Sequence, residues 1–437
     1  MAQSTRHQPP SPQHLTTARG AALYIGALLG PGLLLLPGLA AAQAGPAAIV
    51  AWLAMLALSG LFAAVFSALG QHLPSAGGVM GYVAAGLGTR AGLVTGWSFL
   101  AAVVGGAPTV CLIGASYVTG LTGGGYLARA VAAAMLLLTV LALAAGGLRA
   151  SAGAQLVLVS LLVGVIAVAI AGSAPAAHAA NWTPFAPHGW PSIGRAATTL
   201  MLSFVGWEAV APLTTRFANP SRQLPRVVAI ALAATTALYL SLAIATTSVL
   251  GPAAATTIPL ADLLRRAIGP AGPAAAAAAA AVLTMGAINA YITGAATMAR
   301  QLANPPAAAG RNPRPPIRLL AAIAAAGLLL ITLYGLHLVS TVSLVAVPTA
   351  LFLSVYLASM VAAARVLRGP ARAAAIPAAL AVVAMLAYCG WALAIPAIVA
   401  LAVTWRSRSR RRGHLALTFP DTRPGQGATH RECRHAA

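Results

Sequence analysis

The chain has 437 residues, of which 59% are hydrophobic and only 7% are charged, and its mean hydropathy is +0.86. Soluble domains usually contain about 25% charged residues, so this composition excludes an ordinary soluble protein. The formal net charge is +22, but the basic residues lie between apolar runs and in the tails, which argues against a nucleic-acid surface. The apolar runs are continuous rather than alternating, which disfavours a transmembrane β-barrel.

The first 18 residues are polar and rich in proline, and we expect residues 1–18 to be a disordered cytoplasmic tail. A membrane-spanning domain follows at 19–405, because a hydrocarbon core of about 30 Å needs roughly 20 apolar residues per helix. Twelve apolar segments are predicted, at about 21–43, 47–70, 93–118, 127–146, 154–174, 196–215, 227–250, 273–299, 319–336, 339–363, 373–389 and 391–405.

The last two segments are short, and they are counted separately for a geometric reason. As one helix, 373–405 would be roughly 50 Å long, which is too long for a single crossing. A division at Cys389-Gly390-Trp391 gives two helices near the lower length limit for a crossing.

The distribution of arginine predicts the orientation in the membrane. With a cytoplasmic N-terminus, 22 arginines lie inside and only Arg129, Arg195, Arg265 and Arg266 lie outside. Both termini are therefore predicted to be cytoplasmic. The run RSRSRRR opens an arginine-rich cytoplasmic tail at 406–437, which we interpret as an anchor for anionic lipid headgroups rather than a nucleic-acid site.

Segment 1 contains a pattern that breaks helices. Gly30, Pro31 and Gly32 stand together near its middle, and proline removes a backbone donor while glycine permits non-helical dihedral angles. Irregular backbone at that depth is tolerated only where protein buries it or water reaches it. A simple proline kink packed against a neighbouring helix is the alternative.

Segment 6 repeats this pattern five crossings later. Its centre, SFVGWEAVAP, places Gly206 beside Trp207 and Glu208, with Pro212 shortly after. Two interrupted segments at corresponding positions of two halves are typical of an inverted-repeat transporter. We therefore predict an all-α polytopic membrane protein with twelve transmembrane helices. Segments 1–5 and 6–10 would form a five-plus-five inverted repeat, with helices 1 and 6 broken.

Four stretches also resemble a known family. They are LLGPGLLLLPG at 28–38, HLPSAGGVMGYVAAGLGTRAGLVTGWSFL at 72–100, SFVGWEAVAPLTTRFANPSRQLPR at 203–226 and, more weakly, AINAYITGAATMARQL at 287–302. The chain resembles the amino acid–polyamine–organocation superfamily, specifically its bacterial exporters of methionine and branched-chain amino acids. Pro31 departs from that family, which more often has a small polar residue between the glycines.

A broken helix offers what a free amino acid needs. The half-helix that begins after Gly32 presents unpaired N–H groups and a positive dipole end to the carboxylate. Carbonyl groups near 27–30 and 203–205 would receive the ammonium group, an arrangement that the resemblance also implies. Trp97 is a further candidate for shaping the side-chain pocket. The predicted substrate-binding residues are Gly30, Pro31, Gly32, Ser203, Phe204, Gly206, Trp207, Asn289 and Tyr291.

Glu208 is one of four acidic residues in the chain, and it lies in an apolar segment. Ionisable residues inside the membrane are rare and commonly functional, often as proton relays. Glu208 is predicted to carry a coupling proton or to gate the site through its protonation. A protonated glutamate that ties helix 6 to a neighbour by a hydrogen bond is the structural alternative.

These features predict a secondary transporter of neutral hydrophobic L-amino acids, with a proton as the coupling ion. The resemblance implies export across a bacterial inner membrane and substrates such as methionine, leucine, isoleucine and valine. An importer or an amino-acid/amine antiporter of the same superfamily is the alternative. An enzyme is disfavoured because no nucleophile–base pair or metal cluster lies in the apolar segments, and a channel because no polar pore rings are apparent. The expected partners are the amino acid, the proton and membrane lipids; no cofactor, metal or nucleic acid is expected.

Overall fold

The computed structural model describes residues 15–30, 32–73, 78–147, 152–208, 217–303 and 315–416. Within these ranges the chain is almost entirely helical, and the β-type pairing present is an isolated bridge between Leu15 and Phe217. The helices are α1 Thr17–Leu28, α2 Gly32–Ala44, α3 Ala48–His72, α4 Val79–Leu87, α5 Thr89–Thr122, α6 Tyr126–Ala145, α7 Ala152–Ser173, α8 Pro191–Leu200, α9 Pro220–Ala245, α10 Pro259–Ile268, α11 Ala271–Ala303, α12 Ile317–Gly335, α13 Thr341–Val366, α14 Gly369–Leu386 and α15 Ala394–Ala416.

Nine helical stretches within the described ranges are long and apolar enough to cross a membrane. One of them, Gly32–His72, contains 41 residues and joins α2 to α3 through a 3-10 turn at Gly45–Ala47. An unbroken α-helix of that length would be about 60 Å long, twice the thickness of a hydrocarbon core, whereas this stretch is interrupted at Gly45, which has a φ of +59°. The helical, multi-span character predicted from composition is confirmed, and the count of twelve crossings stays a prediction.

The ends of the predicted membrane domain fall inside helices. α1 begins at Thr17, and the side chain of Thr16 caps it by accepting a hydrogen bond of 3.3 Å from the N–H of Arg19. At the other end, α15 continues to Ala416, past the predicted start of the tail at 406. The remaining parts of both predicted tails, 1–14 and 417–437, lie outside the described residues.

The last two apolar segments are separate helices, as the length argument predicts. α14 ends at Leu386, a 3-10 turn covers Gly390–Leu393, and α15 starts at Ala394. Gly390 has a φ of +53°, a conformation that residues with a Cβ rarely adopt.

The short helix α10 lies between the seventh and eighth predicted segments and was not predicted. Its ten residues are too few for a crossing. Leu260, Leu263 and Leu264 are buried, whereas Arg265 and Arg266 are exposed. The backbone N–H of Leu260 donates a hydrogen bond of 3.3 Å to the hydroxyl of Tyr117 on α5, so α10 packs onto the helical core.

α5 is the most enclosed of the long helices. In its most apolar 18-residue window 83% of the residues are buried, compared with 22% in the corresponding window of α14. Several of the largest fully buried side chains are aromatic and lie on α3, α9, α13 and the segment after α8: Trp52, Phe62, Phe66, Phe204, Trp207, Tyr239 and Tyr356.

Candidate functional site

The first predicted segment is interrupted where its glycines and proline stand. α1 ends at Leu28, Leu29 has the non-helical dihedral angles φ −75° and ψ 61°, and α2 starts at Gly32. The N–H of Gly30 turns back to the carbonyl of Leu28 at 2.8 Å. Pro31, which was predicted to line the site, lies outside the described residues. The segment is thus two half-helices, and the first N–H groups of α2 have no partner within the helix.

The sixth predicted segment also loses its helical conformation. After α8, a 3-10 turn covers Met201–Phe204, Val205 is extended, and Gly206 has a φ of +139°. That value is readily accessible only to glycine, which explains the residue type at this position. Residues 209–216, where the sequence predicts a return to helix, lie outside the described residues.

The two interruptions lie against each other. A Cβ on Gly32 would be 2.6 Å from the Oγ of Ser203 and 3.1 Å from its Cα, so the backbones meet because Gly32 has no side chain. The hydroxyl of Tyr239 on α9 lies 2.7 Å from the carbonyl oxygen of Leu28 and 2.9 Å from that of Ser203. The Tyr239 hydroxyl, which has one proton, therefore lies between the carbonyl groups of both interruptions, and these converge on it.

Aromatic rings enclose this point. The ring of Phe204 lies edge-on to Tyr239 at 5.3 Å and to Trp52 at 6.1 Å, and the Trp52 and Tyr239 rings are 5.3 Å apart. All three residues are buried. The surroundings of the interruptions are thus apolar and closed to solvent in this conformation, apart from backbone groups and hydroxyls.

Glu208 is held by two donors. Its Oε2 accepts a hydrogen bond of 2.5 Å from the hydroxyl of Tyr356 on α13 and one of 2.9 Å from the N–H of Gly206. The glutamate is 7% exposed. Phe62 and Phe66 of α3 lie edge-on to the Tyr356 ring at 4.7 and 5.2 Å and fix its position. The hydrogen bond from Tyr356 ties this segment to α13, and both the proton role of Glu208 and its structural alternative stay predictions.

Trp207 ties the same segment to α3. Its indole Nε1 donates a hydrogen bond of 2.8 Å to the Oγ of Ser59, and its side chain is fully buried. An indole N–H that is buried needs such a partner. The residues that follow the second interruption are therefore fixed to α3 through Trp207 and to α13 through Glu208.

The candidates on α11 lie at the edge of this cluster. The ring of Tyr291 is 6.2 Å from that of Phe352 on α13. Asn289 is half-buried one turn before Thr293, whose hydroxyl donates to the Asn289 carbonyl at 2.8 Å. Trp97 is 44% exposed on α5 and is not part of the buried aromatic cluster.

Among the described residues, Trp52, Ser59, Tyr239 and Tyr356 contact the interruptions and were not predicted. The two tyrosines carry a usable signal, because each places a hydroxyl in the middle of an apolar segment. A buried tyrosine hydroxyl usually finds a hydrogen-bond partner, so such residues indicate polar backbone nearby. Which backbone groups they reach depends on helix packing, which the sequence does not give.

Comparison with known proteins gives a consistent result along the whole chain. Residues 15–406 match the model of the family described as amino acid permease. The chain is 32% identical over 404 residues to the uncharacterized amino acid permease YecA of Bacillus subtilis (strain 168), covering 90% of this chain and 95% of that protein.

Two further relatives have more specific names. The L-methionine/branched-chain amino acid exporter YjeH of Escherichia coli (strain K12) is 28% identical over 410 residues, covering 92% of this chain and 97% of its own. The branched-chain amino acid permease BcaP of Bacillus subtilis (strain 168) is 27% identical over 247 residues, covering 52% of this chain and 53% of its own. The family and these relatives are membrane transport proteins and not enzymes. The chain belongs to the amino acid permease family.

Proposed function

We propose that the protein is a secondary transporter that exports neutral hydrophobic L-amino acids, such as methionine, leucine, isoleucine and valine, by alternating access. One observation carries the proposal: the carbonyl oxygens of Leu28 and Ser203 both lie within 2.9 Å of the Tyr239 hydroxyl. Two carbonyl groups from separate interruptions therefore lie side by side, and the second lone pair of each oxygen could accept a hydrogen bond from an ammonium group. The N-terminus of α2 at Gly32 lies beside Ser203 and offers N–H groups to a carboxylate.

The proposed substrate class follows from the surroundings of that point. Phe204, Trp52 and Tyr239 supply apolar faces, which favour an uncharged side chain on the substrate. Glu208 is the acidic residue near the interruptions, and its Oε2 already accepts two hydrogen bonds. A lysine or arginine substrate would therefore lack a ready counter-charge. The similarity to a methionine and branched-chain amino acid exporter supports the same class.

Glu208 is proposed to carry the coupling proton. The carboxyl group lies two residues after Gly206, so a change in the interruption on substrate binding would alter its partners. Loss of the Tyr356 hydrogen bond during the transport cycle would change how readily the carboxyl group holds a proton. Proton binding and substrate binding would thereby be coupled through one short segment.

The proposal includes the architecture predicted from the sequence. Twelve crossings would be arranged as a five-plus-five inverted repeat in a bacterial inner membrane, with both termini in the cytoplasm. Interruptions in the first and sixth segments support the repeat. The excess of arginine on one side supports the orientation.

Counterflow in proteoliposomes tests the function. Purified protein would be reconstituted in vesicles loaded with unlabelled leucine, and uptake of radiolabelled methionine and leucine would be measured beside lysine and glutamate. Uptake of the two neutral amino acids, absent from protein-free vesicles, is the expected result. Exchange of charged amino acids only, or of none, would contradict the proposal.

An importer or an amino-acid/amine antiporter is the alternative function. The similarity to the branched-chain amino acid permease BcaP supports this alternative. Cells expressing the protein would be loaded with a methionine-containing dipeptide, and methionine would be followed in the medium. Faster efflux than in cells without the protein supports an exporter. Faster accumulation from the medium without faster efflux would support the importer.

A further inference from the structure

A cavity of about 280 Å³ lies between α5, α13 and α15, and none of its lining residues belongs to the interruptions. On α15 it is lined by Pro396, Ala400 and Thr404, which repeat every four residues and so form one face of the helix. On α5 the lining runs from Arg90 to Ser98. Each set covers eight residue steps, or about 12 Å along a helix axis. The cavity is thus a groove parallel to the helices.

The walls of this groove are apolar. Val355 and Ala358 of α13 form one side, and the lining contains four hydroxyl-bearing residues: Thr95, Ser98, Ser354 and Thr404. Ser98 is buried, and the other three hydroxyls donate to carbonyl oxygens of their own helices, at 2.9, 2.7 and 3.0 Å respectively. The groove therefore suits a hydrocarbon chain, and a zwitterion would be costly to desolvate there.

The arginine bias of the sequence predicts that two arginines lie at the cytoplasmic end of the groove. Arg90, the second residue of α5, lines the cavity and is exposed. Arg406 stands two residues beyond Thr404 on α15 and is exposed as well. None of the three helices contains an acidic residue. An occupant that complements this groove has an apolar chain and an anionic end.

We propose that the groove binds an anionic phospholipid, with one acyl chain between α5, α13 and α15 and its phosphate on Arg90. A guanidinium group matches the geometry of a phosphate through paired hydrogen bonds. The arginine bias predicts that this end of α5 faces the cytoplasm, where a lipid of the inner leaflet would present its headgroup. Arg406 adds positive charge for the same headgroup.

The lipid would also act on the proposed transport site, and this step rests on the proposed function. Val355 lines the groove, and the next residue of α13, Tyr356, donates to Glu208. An acyl chain against Val355 would hold α13 in the position from which Tyr356 reaches the carboxyl group. Without the lipid, the acyl-chain contact to Val355, which is already buried against neighbouring helices, would be lost.

Lipid binding is tested by native mass spectrometry of the full-length protein. The protein would be offered equal amounts of phosphatidylglycerol and phosphatidylcholine. Wild type should retain one phosphatidylglycerol in preference to phosphatidylcholine. Arg90→Gln should bind it about fivefold more weakly, as expected for the loss of one basic contact to an anionic headgroup. Arg372→Gln, an exposed arginine of α14 outside the groove, is the matched control and should retain it.

Two variants that fill the groove, Ala400→Leu and Val94→Phe, should also lose the lipid, and thermal unfolding would show that each is folded. Excess inorganic phosphate should leave the lipid bound, because the acyl chain contributes to binding. The proposal would be overturned if Arg90→Gln and both filling variants retained phosphatidylglycerol. Equal binding of phosphatidylcholine by the wild type, or displacement of the lipid by phosphate, would overturn it as well.

Transport gives a separate readout. Counterflow by the wild type should be faster in vesicles that contain phosphatidylglycerol than in pure phosphatidylcholine, and Arg90→Gln should lose this difference. Equal rates for the wild type in both vesicles would overturn the link to α13. Because the mass-spectrometric measurement needs no transported substrate, failure of the proposed function would leave the lipid result intact.

Discussion

Gly32 and Ser203 are 171 positions apart in the sequence, yet a Cβ on the glycine would lie 2.6 Å from the serine Oγ. This contact joins the start of α2 to the end of the 3-10 turn after α8. Since both partners belong to interrupted segments, the irregular backbone of one is buried by the other. Irregular backbone within a membrane protein is tolerated under that condition.

Gly32→Ala should impair transport because its methyl group would overlap Ser203, including the serine Cα at 3.1 Å. Overpacking of this kind costs about 1–3 kcal/mol in a well-packed interior. We expect counterflow of leucine to fall at least severalfold, with the protein still recovered from membranes. Gly164→Ala on α7 is the matched control, because no atom lies within 4 Å of a Cβ there and the position is not part of the proposed site. Equal activity of the two variants would argue against close contact between the interruptions.

Tyr239→Phe should destabilise the protein without altering its apolar packing. The change removes the donor shared by the Leu28 and Ser203 carbonyl groups. A buried polar group that loses its partner costs about 1–3 kcal/mol. Thermal unfolding of the purified protein should shift to lower temperature. Tyr388→Phe, which alters a half-exposed tyrosine, should show little shift; a similar loss in both variants would contradict the bridging role.

Glu208→Gln should separate exchange from proton coupling. The glutamine can still accept a hydrogen bond from Tyr356 through its carbonyl oxygen, but it has no acidic proton to release. Counterflow between equal pH values should persist, whereas the stimulation of transport by a pH gradient should disappear. Tracer flux with and without an imposed gradient measures both. Undiminished stimulation by the gradient in this variant would remove Glu208 from the coupling mechanism.

Ser59→Ala tests the tether between α3 and the second interruption. It leaves the indole N–H of buried Trp207 without its acceptor at 2.8 Å, which should cost about 1–3 kcal/mol of stability. Ser241→Ala is the control, because that hydroxyl donates to the Ala237 carbonyl of its own helix at 2.6 Å. Chemical denaturation monitored by tryptophan fluorescence compares them. A neutral Ser59→Ala would mean that the tether contributes nothing to stability.

The helical membrane architecture could be predicted from the sequence because it depends on composition and on local backbone chemistry. Long apolar runs must satisfy their peptide groups internally, so they form helices. The interruption at Gly30 and Gly32 and the extended backbone at Val205 and Gly206 follow from residues that disfavour helix locally. The separation of α14 from α15 at Gly390 has the same local origin.

Other features depended on contacts between distant segments. Tyr239 and Tyr356 each place a hydroxyl in an apolar segment, but only helix packing brings these hydroxyls to Leu28, Ser203 and Glu208. Trp97 was a reasonable pocket candidate by residue type, but the face of α5 that carries it is exposed. When every face of a helix is apolar, the sequence carries little information about which face points into the protein.

The sequence by itself determined where the backbone leaves the helix, because glycine and proline act on their own dihedral angles and hydrogen bonds. Only the tertiary structure decided which groups meet at those places. The approach of Gly32 to Ser203, the shared donor Tyr239 and the groove beside Arg90 arise from the packing of helices remote in sequence. Such packing depends on the shapes of whole helix surfaces, which local residue patterns do not specify.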